Sequence, residues 1–422
     1  MLYEAPQLNQ TLMAMTQLRY QNRSGQDIAM DLSESQKSLD LSELDIITID
    51  LSAIEQCPKL EVINLYANHL FRIDLTPLQH CKSLQELHLS ENELTQLDLS
   101  PLQKCVNLQI LELHQNKLEA LNLNPLMHCT QLRRFDLANN DLTSIDLRPL
   151  WHCTLLEEFD LSENQISKID LTSLHYCTHL QEIDVSGNDL DQIDLTPLWN
   201  CKKLRSLNLR SNRIQSIDLR ALYHCPEITE LDISKNRLDH IDLAPLWHCR
   251  ELVVFWLAEN NLTKLNLVPL WHATNLKALN ITQNNLSRLD ISPILKGQED
   301  FKFFVDKDVL LVAEERLKPL LWKKTPTSFQ KRIKSISWYG TVIPIEVEEA
   351  ELPSSLPIKE PVVESRPISL ETLGKDFIIH LMNQGWVVSI IAEEGITYQI
   401  TKEGEAALRK FGIDPTNSAS EK

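Results

Sequence analysis

The 422-residue sequence is 43% hydrophobic, enough for a packed core, and carries 59 acidic against 41 basic residues for a formal charge of -18. So acidic a chain is repelled by nucleic acid and by anionic membranes, so a protein or peptide with a basic surface is the expected partner and nucleic acid is not. No stretch of roughly 18 apolar residues runs without a charge, so no membrane span is expected.

Residues 1–35 precede the regular part of the chain and are expected to cap it, with a helix over 8–19. The opening MLYEAPQLNQTLMAMTQLRY has no basic region followed by an unbroken apolar one, which reads as a cytoplasmic protein. From residue 36 the sequence is periodic. All 9 cysteines, Cys57, Cys81, Cys105, Cys129, Cys153, Cys177, Cys201, Cys225 and Cys249, stand 24 residues apart. Asparagines from Asn68 to Asn284 keep the same step, and so does almost everything apolar. One unit reads LQELHLSENELTQLDLSPLQKCVN from Leu84, and the shared pattern is LxxLxLxxNxLxxIDLxPLxxCxx. A strict period of this kind is the signature of a solenoid. Ten units occupy 60–299, and a degenerate coil precedes them in which Leu44 replaces the asparagine, so the solenoid is assigned to 36–299.

The segment LxxLxLxxNxL resembles the leucine-rich-repeat family. That resemblance implies an α/β solenoid, a horseshoe with short parallel strands on its concave face and short helical turns on the convex side. Some members of the family have GTPase-activating or ligase-like roles, but no residue here is singled out for one.

The spacing gives the same picture independently. In LxLxx, positions 4 and 6 of the unit point inward and positions 3, 5 and 7 outward, with period 2. The asparagine side chain can bond the backbone of the neighbouring coil. In IDLTPLxxC, Thr or Ser is expected as an N-cap with Pro at the first helical position, and Leu and Cys, three apart, face inward. The cysteines then read as small buried hydrophobes with free thiols. Asp50, Asp74, Asp98, Asp146, Asp170, Asp194, Asp218, Asp242 and Asp290 form a further ladder, with Asn122 and Asn266 at two steps. Either calcium bridges these carboxylates or each accepts a backbone N–H at the start of its helical turn, and an Asn substitute favours capping. His80, His128, His152, His224, His248 and His272 sit beside the cysteine position and read as surface residues, not zinc ligands. Trp151, Trp199, Tyr223, Trp247 and Trp271 share one convex position and should pack across neighbouring coils.

The outward strand positions are where the repeat is free to vary. Positions 3 and 5 carry Glu86, Glu112, Asp136, Glu158, Asp160, Glu182, Asp184, Glu230 and Asp232, and Arg134 is the one Lys or Arg among them in the ten units. Glu91, Glu157 and Glu163 flank this acidic stripe. In the ninth and tenth units Val254, Trp256, Ala258 and Ala278 take the outward places, an arrangement suited to an interface anchor beside a charged field.

Beyond Leu295 the register is expected to slip by one, with FKFFVDKDVLL as a closing strand and AEERLKPLLWKK and TSFQKRIKSISW as cap helices, so that 300–344 forms a C-terminal cap. Arg316, Lys318, Lys323, Lys324, Lys331, Arg332 and Lys334 concentrate positive charge here, read as the wet face of those helices. Residues 345–367 are rich in Pro, Glu and Ser and read as a linker. Residues 368–415 then read as a helix, a hairpin of WVVSIIA and ITYQIT, and a closing helix around KEGEAAL, an order that resembles half of a winged-helix domain. From it comes a second functional reading, a nucleic-acid-associated regulator acting through the basic segment and this domain. The motifs GxSxG, GxxxxGK, GxGxxG, HExxH and CxxC are absent from the sequence, and neither an enzyme nor a bound cofactor or metal is expected. The chain is expected to be a monomeric interaction scaffold.

Overall fold

The computed structural model describes residues 16–295, 301–318, 335–339, 387–392 and 395–400, and the chain divides into two compact units, 1–352 and 353–422. In the first unit each repeat lays down one three-residue strand. The strands are β3 (Ser38–Asp40), β5 (Val62–Asn64), β6 (Glu86–His88), β7 (Ile110–Glu112), β8 (Arg134–Asp136), β9 (Glu158–Asp160), β10 (Glu182–Asp184), β11 (Ser206–Asn208), β12 (Glu230–Asp232), β13 (Val254–Trp256), β14 (Ala278–Asn280) and β16 (Lys302–Phe304). They form one 12-stranded parallel sheet in which each strand pairs with the next in sequence, save that β4 (Ile46–Asp50) and β15 (Arg288–Asp290) lie outside it. The pairing is in step with the repeat, so Asp160 lies opposite Asp136 on one side and Asp184 on the other.

The period-2 expectation holds: Leu87 and Leu89 are fully buried, as are their equivalents Leu111 and Leu113, while Glu86 and His88 keep part of their surface. After each strand the chain turns through a residue in the left-handed region, Glu91 at φ 52° and Gln115 at φ 52° among them. The next residue, the asparagine, makes the turn affordable. Asn92 Oδ1 accepts the Leu70 N–H at 3.0 Å, and its Nδ2 donates to Leu65 O at 2.9 Å and Leu89 O at 3.1 Å, which ties two neighbouring coils together. In the first coil, where Leu44 stands in the asparagine's place, Asn68 Oδ1 accepts from both Leu44 N and Ile46 N.

The convex side is built of short 3-10 turns such as Thr76–His80, closed by Leu78 N to Leu75 O and Cys81 N to Leu78 O, both 2.9 Å. Pro stands second in this turn. The cap is not the Thr or Ser expected from the sequence. Asp74 Oδ1 accepts the Thr76 N–H at 2.9 Å, and Asp98, Asp146, Asp170, Asp194, Asp218, Asp242 and Asp290 act the same way on the residue two further on. Asn122 and Asn266 take their places without loss, at 3.1 and 3.0 Å. The aspartate ladder is therefore a row of caps. The cysteines are buried, and their thiols donate to carbonyls of the preceding coil, as Cys105 Sγ does to Leu78 O at 3.4 Å. Burial pushes the Cys105 and Cys153 thiols up to about 12, so they remain protonated.

Both ends of the stack depart from expectation. Residues 16–19, placed in a helix by their sequence, belong to strand β1 (Thr16–Asn22), which pairs antiparallel with β2 (Asp27–Leu32) and with β4 (Ile46–Asp50). Leu18 and Leu32 are buried on the first coil, and Gly25 at φ 81° makes the turn. A helix would have buried a wider face than the end of one coil offers. At the other end the register does not slip: Lys302–Phe304 pairs with Ala278–Asn280 at the same 24-residue step. FKFFVDKDVLL is two strands, not one, because Leu310–Glu314 (β17) joins a separate parallel sheet with Arg288–Asp290 (β15) and Ser337–Tyr339 (β18). Of the two segments expected as cap helices, the described parts are the end of β17, a 3-10 turn at Glu315–Leu317 followed by a helical Lys318, and β18, and the greater part of both falls outside the described residues. Stacking thus continues past residue 299. Residues 319–334 lie outside the described residues.

In the second unit the strands Val387–Ala392 (β19) and Gly395–Ile400 (β20) pair antiparallel with Ala392 opposite Gly395, the hairpin expected from WVVSIIA and ITYQIT. The linker at 345–367 and the helices expected on either side of the hairpin fall outside the described residues.

Candidate binding face on the parallel sheet

The structure brings the acidic outward residues together across neighbouring strands. Glu158 lies opposite Glu182 in register, and Asp136, Asp160 and Asp184 form a row of three. The row has a second role that the sequence did not reveal. Asp136, Asp160, Asp184 and Asp232 each turn Oδ1 to the N–H two residues ahead, at 3.0, 2.7, 2.8 and 2.8 Å, and Asn208 and Asn280 do so at the same position. Position 5 therefore closes a local turn with one oxygen and leaves the other for the concave face.

The two halves of the stripe differ in how their charge is balanced. In the first half Arg134 lies 3.1 Å from Glu112 and 3.1 Å from Glu158, and 4.0 Å from Asp136. His88 reaches Glu112 at 2.6 Å and Glu86 at 3.2 Å, and His114 lies 3.0 Å from Asp136. Asp136 is 8% exposed, which departs from the outward reading of its position. In the second half no cation among the described residues comes within ion-pair distance of Asp160. Asp184 takes an amide proton from Asn208 at 2.7 Å, and Asp232 lies 3.8 Å from Arg210. Half-burial, with Asp184 and Asp136 beside it, holds the Asp160 carboxyl up at about 6.

At the C-terminal end of the sheet the apolar places are unequal. Trp256 and Val254 are half-buried, whereas Ala258 and Ala278, at 5% and 7% exposed, add little surface. The aromatic partner absent from the sequence reading is Phe304, 43% exposed, whose ring centroid lies 6.5 Å from that of Trp256. Phe304 occupies position 5 of its coil, two 24-residue steps after Trp256, and the assumed register slip concealed this.

The convex aromatics pack from coil to coil as expected: Trp151 stacks on Tyr176 at 4.7 Å, Trp199 lies tilted over His224 at 3.5 Å, and Tyr223 meets His248 at 4.3 Å and Trp247 meets His272 at 4.6 Å edge to face. His224, His248 and His272 are consequently half-buried, not the surface residues expected, while His80, His128 and His152 are exposed. Burial, with Lys202 and His248 nearby, holds the His224 imidazole below its ordinary range.

Parallel three-residue strands, asparagine rungs and convex 3-10 turns repeated at one step make the first unit a leucine-rich-repeat solenoid. Residues 82–142, 130–190 and 202–262 match the family described as Leucine rich repeat. No curated protein matches the chain. Among solved structures, the functional domain of InlJ from Listeria monocytogenes, described as including a cysteine ladder, is 27% identical over 67% of this chain and 56% of that one, with a TM-score of 0.54. The leucine-rich-repeat protein LIC12759 of Leptospira interrogans is 20% identical over 72% of this chain and 84% of that one, with a TM-score of 0.55. The leucine-rich-repeat ectodomain of the plant membrane receptor kinase GASSHO1/SCHENGEN3 from Arabidopsis thaliana, solved in complex with CASPARIAN STRIP INTEGRITY FACTOR 2, is 20% identical over 73% of this chain and 39% of that one, with a TM-score of 0.56. The chain thus spans little more than half the length of the InlJ domain and less than half of the plant ectodomain. Among the described residues no helix is long and apolar enough to cross a membrane.

Proposed function

We propose that this protein is a binding scaffold, not an enzyme, and that its concave sheet captures a protein or peptide with a basic surface. Glu86, Glu112, Asp136, Glu158, Asp160, Glu182, Asp184 and Asp232 supply the field, and Trp256 with Val254, Ala258 and Phe304 supplies the apolar anchor. One observation carries the reading: the in-register row Asp136, Asp160 and Asp184 lies on the same sheet as the Trp256–Phe304 pair, so charge and apolar contact face one concavity. A charged field raises the rate of encounter, and a partly exposed aromatic pair slows release. A monomer in a reducing, cytoplasmic setting is the form proposed, in keeping with nine buried thiols bonded to carbonyls.

The test is binding of a fluorescent nona-arginine peptide and of partners captured from a lysate. Asp160→Lys with Asp184→Lys should slow association about tenfold at low salt and flatten its salt dependence. Trp256→Ala should mainly speed dissociation of a captured protein. Unchanged kinetics in both variants would refute the reading.

A further inference from the structure

We propose that His88 and His114 gate the concave face by pH: as imidazolium ions they occupy Glu86, Glu112 and Asp136, and as neutral rings they yield these carboxylates to a cationic partner. The gate rests on the reading of this face as the binding surface.

The geometry around His88 suits the imidazolium. Its Nδ1 lies 2.6 Å from Glu112 Oε2 and its Nε2 lies 3.2 Å from Glu86 Oε2. A neutral imidazole has one N–H and one lone pair, and here the lone pair would point at a carboxylate oxygen. Only the imidazolium donates to both. One coil on, His114 Nδ1 stands 3.0 Å from Asp136 Oδ2, within ion-pair reach though not aligned for a hydrogen bond. On its own strand His88 faces Glu86; from the next strand it faces Glu112; Asp40 feels its charge two strands back, and the residue opposite it on β5 is the neutral Asn64. His114 faces Asp136, Glu112 and Glu91, the last already accepting the Tyr66 hydroxyl proton. Arg134 is the fixed cation among them, shared by Glu112 and Glu158. The anions outweigh burial, so both rings are held above the ordinary imidazole range, His88 chiefly by its bond to Glu112 and His114 chiefly by Asp136. The Glu112 carboxyl is correspondingly held low by His88.

The gate covers half the face. From Glu158 to Ala258 no outward strand position carries a histidine, so Asp160, Glu182, Asp184 and Asp232 have no such internal counter-ion. At low pH the first half of the stripe is neutralised from within and a basic partner meets only the second half. As pH rises through the imidazole range the rings lose their protons, and arginine or lysine side chains of the partner compete for the same oxygens without having to expel a proton. Binding of a cation is therefore proton-linked, and affinity rises with pH.

The experiment uses the full chain carrying Asp160→Asn, so that the titration of that carboxyl drops out, and measures nona-arginine anisotropy at constant ionic strength from about pH 5.5 to about pH 8.5. Affinity should rise roughly threefold to tenfold per pH unit, tenfold being the limit for one proton released per binding event. His88→Gln with His114→Gln should flatten the profile and leave binding at low pH as tight as the parent shows at high pH. An unchanged slope in that variant overturns the gate. If nona-arginine binds at no pH, the acidic-face reading has failed, and the gate is decided by NMR titration of the imidazole Cε1–H signals. His88 and His114 must then titrate above free histidine, with His88 falling in Glu112→Gln; titration at or below the free value overturns it.

Discussion

Replacing Asn164 with alanine measures what one rung of the asparagine ladder contributes. Asn164 Oδ1 is the acceptor for the Leu142 N–H at 3.0 Å, and Nδ2 donates to Leu137 O at 3.0 Å and Leu161 O at 3.1 Å. Nδ2 also donates to Ser162 O at 3.1 Å, a carbonyl that keeps the Asn139 N–H at 2.8 Å, and the four losses are unequal. Leu137 O keeps the amide of Asn140 at 3.1 Å, and Leu161 O keeps that of Asn188 at 2.9 Å, because every such carbonyl is shared by two successive rungs. The Leu142 N–H, in contrast, is left buried without an acceptor, which costs about 1–3 kcal/mol, and the halved carbonyls add about 0.5 kcal/mol each. Asn164→Ala should therefore destabilise the solenoid by about 2–4 kcal/mol, read as a lower urea midpoint by circular dichroism at an unchanged slope. The Leu142 amide should exchange with solvent faster than its counterparts in the other coils. Asn164→Asp should cost more, because a carboxylate accepts from Leu142 but turns its second oxygen towards two carbonyls. A loss below about 0.5 kcal/mol with Leu142 still protected would show that a neighbouring group or water replaces the rung, and the reasoning fails.

The raised Asp160 carboxyl predicts a pH-dependent gain from Asp160→Asn. With its folded value at about 6, above the ordinary 3.8, the ionised form is disfavoured by folding, so the native aspartate is a burden above about pH 6 and none below the unfolded value. The variant should melt later at pH 8 by the equivalent of about 1–2 kcal/mol, a figure reduced for partial exposure, and the difference should vanish near pH 4. Asn208 and Asn280, which make the same turn, show that the amide fits; a gain that does not depend on pH would refute the cause given. Gly187, at φ 63°, occupies the left-handed place that Glu163, Ser211 and Lys235 fill elsewhere, and a Cβ there would collide with the Glu163 carboxylate. Gly187→Ala should cost about 1 kcal/mol in the native background and less in Glu163→Ala, so equal costs in a double-mutant cycle would exclude the collision.

The repeat was legible because its signals are redundant: Leu87 and Leu89, Asn92, Asp98 and Cys105 each mark the same phase, and a one-residue error would put all of them wrong together. The caps were only half legible. The step of the aspartates pointed to capping, yet Thr76 looked the better N-cap until the 3-10 geometry placed Asp74 Oδ1 on its N–H. The ends misled because a terminal coil has one neighbour and so lacks a partner to fix its pattern. Leu8 to Arg19 has helical spacing, but Leu18 is buried in a strand, and the slip expected beyond Leu295 is disproved by Phe303, in step with Leu279. On the concave face, outward positions were readable and side-chain pairing was not. Nothing in the sequence says that His88 lies between Glu86 and Glu112, because that contact joins residues 24 apart through the register of two strands.

The sharing of carbonyls between rungs bears on how the molecule yields to force. Each coil is laced to its predecessor and successor by the same few amides, and no bond of the ladder skips a coil. Pulled from one end, such a stack has no single clasp whose rupture frees the remainder. It should surrender one coil at a time, each event releasing roughly 80 Å of contour for its 24 residues, so that extension traces show a regular sawtooth beginning at the loaded end.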